Sequence, residues 1–261
     1  MKFIILKKKT IFIIFFLLLI IFSLFFYFYH PFALAVDLTT NSSIDENIKN
    51  KIRGLTNNNE KIAYLTFDDG PTLKSTSRIL DILKTLDVKA TFFVVGKHVK
   101  EHPELVKRVY EEGHYIANHG YSHNNSKLYQ SLENFANEIK NTDIEIGNAI
   151  GIPNYCSHVF CFPNGYMSSK YKKQKKQALQ VLDEMNYTYI DWNCLNNDSV
   201  KKYSNYQLLK NLKKSSKNKG TLVVLMHDTS DVNDTPLVLE DSINYLKEQG
   251  YEFNNFYDLI E

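Results

Sequence analysis

Two adjacent carboxylates and a turn, Asp68-Asp69-Gly70-Pro71, close a run of β-forming residues, Ile62-Ala63-Tyr64-Leu65-Thr66-Phe67. Neighbouring carboxylates repel, so holding them together at a strand end is costly unless something neutralises them. Asp-Gly is also ordinary turn chemistry, and alone the motif reads as a turn. Further along, His119 and His123 flank Gly120-Tyr121-Ser122. That spacing can aim two imidazoles at one cation, although a lone pair of histidines is more often surface polarity or a satisfied hydrogen bond. His98 and His102 have the same spacing, but the helix start at Pro103 breaks any shared face, so they read as loop polarity. His119 and His123 differ because they follow a strand, as Asp68 and Asp69 do. Two histidines plus one carboxylate make the facial set of many catalytic divalent-metal sites, and these ligand types favour zinc, cobalt or a similar ion. His227 ends the run Thr221-Leu222-Val223-Val224-Leu225-Met226 and reads as a general acid beside such a set. Asp198 reads as the carboxylate that orients that imidazole and holds its protonated form. Their plainer readings are a strand-end hydrogen bond and a solvated loop acid.

These residues need elements that bring them together. From residue 61 the pattern alternates short β-rich runs with helical stretches. Strands are expected at 62–67, 90–95, 115–117, 159–162, 187–192 and 221–226, with 251–253 as a last one. Helices are expected at 75–86, 103–112, 132–150, 175–185, 206–212 and 236–247. Repeated alternation implies an α/β fold with a parallel sheet or a (β/α) barrel, whose working residues collect at the C-terminal ends of strands. Asp68-Asp69, His119, Pro163-Asn164-Gly165, the stretch after Trp192 and His227-Asp228 all lie there.

Taken in order, Thr66-Phe67-Asp68-Asp69-Gly70, His119-Gly120-Tyr121-Ser122-His123, Phe162-Pro163-Asn164-Gly165 and Leu225-Met226-His227 resemble the motifs of the polysaccharide deacetylase family, carbohydrate esterase family 4, including peptidoglycan N-acetylglucosamine deacetylases. The resemblance spans about residues 60–260. It implies a distorted (β/α) barrel, a zinc-type divalent ion and hydrolysis of the N-acetyl group of amino sugars in a glycan. It implies Asp68 as general base, Asp69, His119 and His123 as metal ligands, and His227 as general acid supported by Asp198. It implies that Leu225 lines the acetyl pocket and that the Asn164 backbone N–H faces the oxyanion. Tyr166, with Tyr121 and Trp192, is a candidate for stacking on sugar rings, with core packing the plainer reading for Trp192.

The chain also departs from the family pattern. Cys161 stands where an arginine normally pairs with the base, Gly120 where Ser or Thr is usual, and Ser199 where an aromatic residue often follows Asp198. A thiol cannot supply the fixed bidentate charge of a guanidinium. Three readings follow. Lys170 or Lys172 substitutes, with weaker activity; Cys161 pairs with Cys156; or the site binds metal and sugar but turns over poorly. Slow but measurable catalysis ranks first.

The chain has 261 residues, 44% hydrophobic and 23% charged, which fits a folded protein. Three cysteines are too few for a disulfide scaffold. Lys2, Lys7, Lys8 and Lys9 precede the first acid, Asp37; taking these four from 31 leaves 27 Lys and Arg against 29 Asp and Glu. A near-neutral body argues against a phosphate-tracking nucleic-acid binder. Residues 11–29 form an apolar run that approaches bilayer thickness as a helix, behind the Lys cluster. The expectation is a cytoplasmic basic segment at 1–10, a transmembrane signal-anchor at 11–29, an extracellular linker at 30–59 and a catalytic domain at 60–261. Cleavage after Ala35, in Ala33-Leu34-Ala35, would release the domain instead. Two rivals remain: a catalytically silent glycan-binding module, and a magnesium phosphohydrolase built on Asp68-Asp69-Gly70. The second leaves His119, His123 and His227 without a role.

Overall fold

The seven residues of β1 (Ile62–Asp68) are β-branched or aromatic at most positions and buried from Ala63 to Asp68, as befits a strand covered on both faces. In this computed structural model, which describes residues 43–229 and 235–260, β1 is the centre of the sheet. It pairs in parallel with β2 (Thr91–Val94), β7 (Leu222–His227) and β8 (Glu252–Asn254). The full order is β5-β4-β3-β2-β1-β7-β6, with β3 at Tyr115–Asn118, β4 at Val159–Phe160, β5 at Thr188–Tyr189 and β6 at Cys194–Leu195. Every pairing among the described residues is parallel, and none joins β5 to β6, so the barrel is open there.

Register sets which strand ends meet. Asp68 is the Cα partner of His227 on one side and of Phe93 on the other, and Asn118 is the partner of Phe160. His119 and Cys161 each follow one residue later, so the sheet brings Asp68, His119, Cys161 and His227 to one rim before any side chain is placed.

Helices cover the sheet: α2 (Ser75–Thr85), α3 (Gly96–Glu101), α4 (Pro103–Glu111), α6 (Leu132–Ile150), α7 (Lys172–Glu184), α8 (Asn205–Ser216) and α9 (Pro236–Glu248). The single turn α5 (Asn125–Leu128) precedes α6. Local chemistry explains their ends. Ser131 caps α6, which stops at Gly151 in the left-handed region; Ser204 and Gln207 form a reciprocal cap on α8. The apolar core packs Phe67, Phe92, Val94 and Ile116 with Leu80, Leu83, Val224 and Met226.

The structure corrects several boundaries. The strand expected at 159–162 ends at Phe160, and the one expected at 187–192 is the short Thr188–Tyr189. Cys194–Leu195 forms a strand where none was expected, bonded to β7. The largest correction concerns the linker. Residues 46–53 are a helix, α1 (Glu46–Arg53), capped by Asp45, followed by a 3-10 turn at Leu55–Asn57. Ile44, Ile52 and Leu55 are buried, and Ile52 and Leu55 pack in one cluster with Phe256 and Leu259, the latter on the terminal α10 (Tyr257–Ile260). The polar composition of this stretch hid an apolar stripe, so residues 44–57 belong to the folded body. The segments expected at 1–10 and 11–29, and the linker as far as residue 42, lie outside the described residues. Among the described residues no helix is long and apolar enough to cross a membrane.

Candidate active site

At the end of β1 the chain turns sharply through Asp69 (φ 79°), whose side chain faces the loop after β3. Asp69 Oδ1 lies 3.3 Å from His119 Nε2 and 3.0 Å from His123 Nε2. One ligand atom from each of the three residues falls within 4.8 Å of the others, so the set can share one ion. Burial works against the charge of Asp69, but hydrogen bonds and the charges of both histidines outweigh it and hold its carboxyl well below the usual carboxylate range. The His119 Nδ1–H donates to the Cys161 carbonyl (2.8 Å), which leaves Nε2 as the ligand atom.

The His119–His123 loop is held by a residue that sequence reasoning passed over. Glu138, on α6, accepts from the backbone N–H groups of Tyr121 (2.8 Å) and Ser122 (2.7 Å) and from the Ser122 hydroxyl (2.7 Å). Gly120 has φ 82° and His123 φ 51°, so the loop needs left-handed backbone and such an anchor. That conformation also accounts for glycine at position 120.

Asp68 is 3% exposed and points inward beside this set. Its Oδ2 accepts from the Cys161 thiol at 3.3 Å and lies 3.8 Å from His119 Nε2; Oδ1 is buried with no hydrogen-bond partner among the described residues. Burial raises its pKa, and His119, His227 and the thiol only partly offset that. Cys156 and Cys161 are both free thiols, so the expected alternative of a disulfide is not realised. Lys170 lies over the Tyr171 ring and Lys172 opens α7, and neither is a partner of Asp68. The buried lysine of this region is Lys175, whose ammonium donates to the Gly165 carbonyl and to Ser168 Oγ (2.6 Å).

Opposite Asp68, His227 Nδ1 donates to Asp198 Oδ1 (2.7 Å), and its backbone N–H donates to Asp198 Oδ2 (2.9 Å). Thr235 Oγ1 donates to the same Oδ2 (2.6 Å). Burial opposes charge on His227, but the hydrogen bond and charge of Asp198, with Asp68 and Asp69 behind, push its pKa up to about 9. His227 is therefore an imidazolium at neutral pH, a state suited to donating a proton.

Leu225, 7% exposed, sits two residues before His227 on the same face of β7. Asn164 is exposed and in the left-handed region (φ 67°). Tyr166 is half-buried, with its ring against Tyr189 (centroids 4.6 Å) and its N–H donating to Asp191 (2.9 Å), so one face of the ring is already used by the protein.

Two further residues were underrated. His98, read as loop polarity, places Nδ1 2.8 Å from the Asp69 carbonyl and so braces the turn that carries the ligand. Its place just past β2 was the available signal. Asp228 lies beneath the same turn. It accepts from Thr76 Oγ1 (2.7 Å) through its carboxylate and from Thr72 Oγ1 (2.6 Å) through its carbonyl. A Cβ on Gly70 would stand 1.8 Å from the Asp228 carboxylate, so only glycine fits there.

The chain is similar to known proteins over most of its described length. The family model described as polysaccharide deacetylase matches residues 56–190, which includes Asp68, Asp69, His119, His123 and Cys161 and stops short of Asp198 and His227. A peptidoglycan-N-acetylglucosamine deacetylase of Bacillus cereus is 37% identical over 203 residues, 76% of this chain and 70% of the relative. The structure of a Streptococcus mutans esterase of carbohydrate esterase family 4 aligns with TM-score 0.71 and 29% identity, over 79% of this chain and 90% of the other. A pseudoenzyme of that family from Bacillus anthracis aligns with TM-score 0.64 and 30% identity, over 78% of this chain and 66% of the other.

Proposed function

This chain belongs to the polysaccharide deacetylase family and is a hydrolase of that kind, and on that footing we propose a metal-dependent removal of the N-acetyl group from N-acetylglucosamine units of peptidoglycan, releasing acetate. The observation that carries the reading is the placement of three ligand atoms, from Asp69, His119 and His123, beside a separate carboxylate and across from an imidazolium.

An amide is a weak electrophile with a poor leaving group, so hydrolysis needs help at the carbonyl, the water and the departing nitrogen. Asp69, His119 and His123 would hold a divalent ion, which when bound would supply Lewis-acid polarisation and a water of lowered pKa. Asp68, outside that set, takes the proton from the attacking water through its unpartnered Oδ1. The backbone N–H of Asn164 would donate to the oxyanion, a contribution on the order of several kcal/mol. His227 gives its proton to the leaving amine, and Asp198 holds the imidazolium in place until then. Leu225 walls the acetyl methyl group, and Tyr166 offers the free part of its ring to a sugar.

The apolar segment 11–29 would anchor the domain on the outer side of the membrane, where peptidoglycan lies, with release after Ala35 as the alternative. Protease digestion of intact cells with the wall removed tests this: the domain should be digested and residues 1–10 protected.

A second reading is a glycan-binding protein with little turnover. It is favoured by one observation: the base has a neutral thiol where the family has an arginine. Acetate release from purified peptidoglycan by the full chain, with and without a chelator, separates the two. Release that stops with chelator and returns with zinc supports the deacetylase. No release under any metal leaves the binding reading, and release that ignores the chelator overturns the metal role. Analysis of the freed amino sugar separates glucosamine from muramic acid.

A further inference from the structure

Cys161 does more than replace an arginine. Its Sγ, one Asp68 carboxylate oxygen and one His119 ring nitrogen lie within 4.8 Å of one another, and all three residues are buried. Asp68 is 3% exposed, and its Oδ1 has no hydrogen-bond partner among the described residues, as expected of a group kept for a ligand. This triad is distinct from Asp69, His119 and His123, but the two share His119. Its Nδ1 is occupied by the Cys161 carbonyl, so Nε2 is the one nitrogen available to either ion.

We propose that Cys161, Asp68 and His119 form an inner metal position for thiophilic divalent ions, such as cadmium, whose occupation excludes an ion from the outer position. The chemistry distinguishes the two. The outer set offers one carboxylate and two imidazoles; the inner set offers a carboxylate, an imidazole and a soft thiolate. On binding, the Cys161 thiol proton passes to solvent, and the dication is then balanced by two anionic ligands. Because the inner position consumes Asp68, an enzyme loaded there has lost its proposed base. Metal capture rests on these residues alone; the loss of turnover rests on the deacetylase reading.

The test adds cadmium to the metal-free full chain and follows the ultraviolet thiolate-to-cadmium charge-transfer band. A saturable band with one cadmium per chain is expected. It should vanish in Cys161→Ser and Cys161→Ala, survive in Cys156→Ser and Cys194→Ser, and survive in His123→Ala, which touches the outer set only. Melting curves establish that the silent variants are folded. No band in the wild-type chain, a band that persists in folded Cys161→Ser, or a band lost in folded His123→Ala overturns the inner position. In the activity arm, the cadmium concentration that halves acetate release, measured against each protein's own rate with zinc, should rise at least ~10-fold in Cys161→Ser. A normal band with activity untouched by cadmium overturns the exclusion of the outer ion. A normal band in a chain that never releases acetate sinks the deacetylase reading and leaves the metal position standing.

Discussion

His227 and Asp68 are Cα partners across β7 and β1, yet their surroundings differ. His227 meets both oxygens of Asp198, and a threonine secures the second of them. Asp68 has the Cys161 thiol at 3.3 Å and His119 Nε2 at 3.8 Å on one oxygen and, among the described residues, no hydrogen-bond partner on the other. In both cases burial disfavours the charged form. On the acid side the hydrogen-bonded Asp198 carboxylate outweighs burial and pushes the His227 pKa up to about 9, whereas the charges of His119 and His227 offset the burial of Asp68 only in part. On the base side the carboxyl is pushed upward and stays under-compensated. A barrel rim can thus preorganise one proton carrier well while leaving its partner a few ångströms away exposed to burial.

Four measurements would break or sharpen this contrast. The largest effect is expected from Asp68→Asn, which keeps shape and removes the proposed base. The rate should fall about 10²–10⁴-fold, while thermal stability holds or rises because a buried, poorly partnered charge is gone. A drop in melting temperature would mean Asp68 is better compensated than its contacts indicate.

Next is Asp198→Asn. In the proposed acid role the active form of His227 is protonated, and its pKa is raised, so activity should be retained below about 9 and lost above it. Without the Asp198 charge the alkaline limb should move down toward the ordinary 6.5, costing roughly 10–100-fold at pH 8 and little at pH 6. An unmoved limb would show that His227 is not the acid.

Third is Cys161→Arg. The thiol lies in the field of Asp68, Asp191 and Asp69, so a guanidinium there gains three opposite charges. Activity should rise about 10-fold, and the acid limb should move to lower pH as the Asp68 carboxyl is pulled down. No gain would mean the thiol is not what limits the base.

The smallest effect is expected from Glu138→Gln, which weakens three hydrogen bonds to the histidine loop. Zinc affinity, read by competition with a chelator, should fall about 10-fold with the melting curve little changed. Equal affinity would place the loop's rigidity in its backbone alone.

Much of the site could be seen in the chain. Asp68, Asp69, His119, His123 and His227 announced themselves because each ends or follows a β-rich run, and parallel α/β folds gather chemistry at those ends. The alternation that revealed the runs also foretold most helices. What stayed hidden was polar or short. The helix α1 carries only a thin apolar stripe among Lys and Asn, and β6 has two residues. Glu138 looks like any exposed helix acid until α6 is packed beside the loop. His98 resembles loop polarity until its ring meets the Asp69 carbonyl.

The sequence by itself determined the residue types available for chemistry and their assignment to strand ends, because turn and strand preferences act over a few neighbouring residues. Tertiary structure alone decided that Asp69 meets both histidines, that Asp198 grips His227, and that Cys161 faces Asp68. Those contacts join positions far apart in the chain, and they exist only once parallel register and packing have set which strand ends lie side by side.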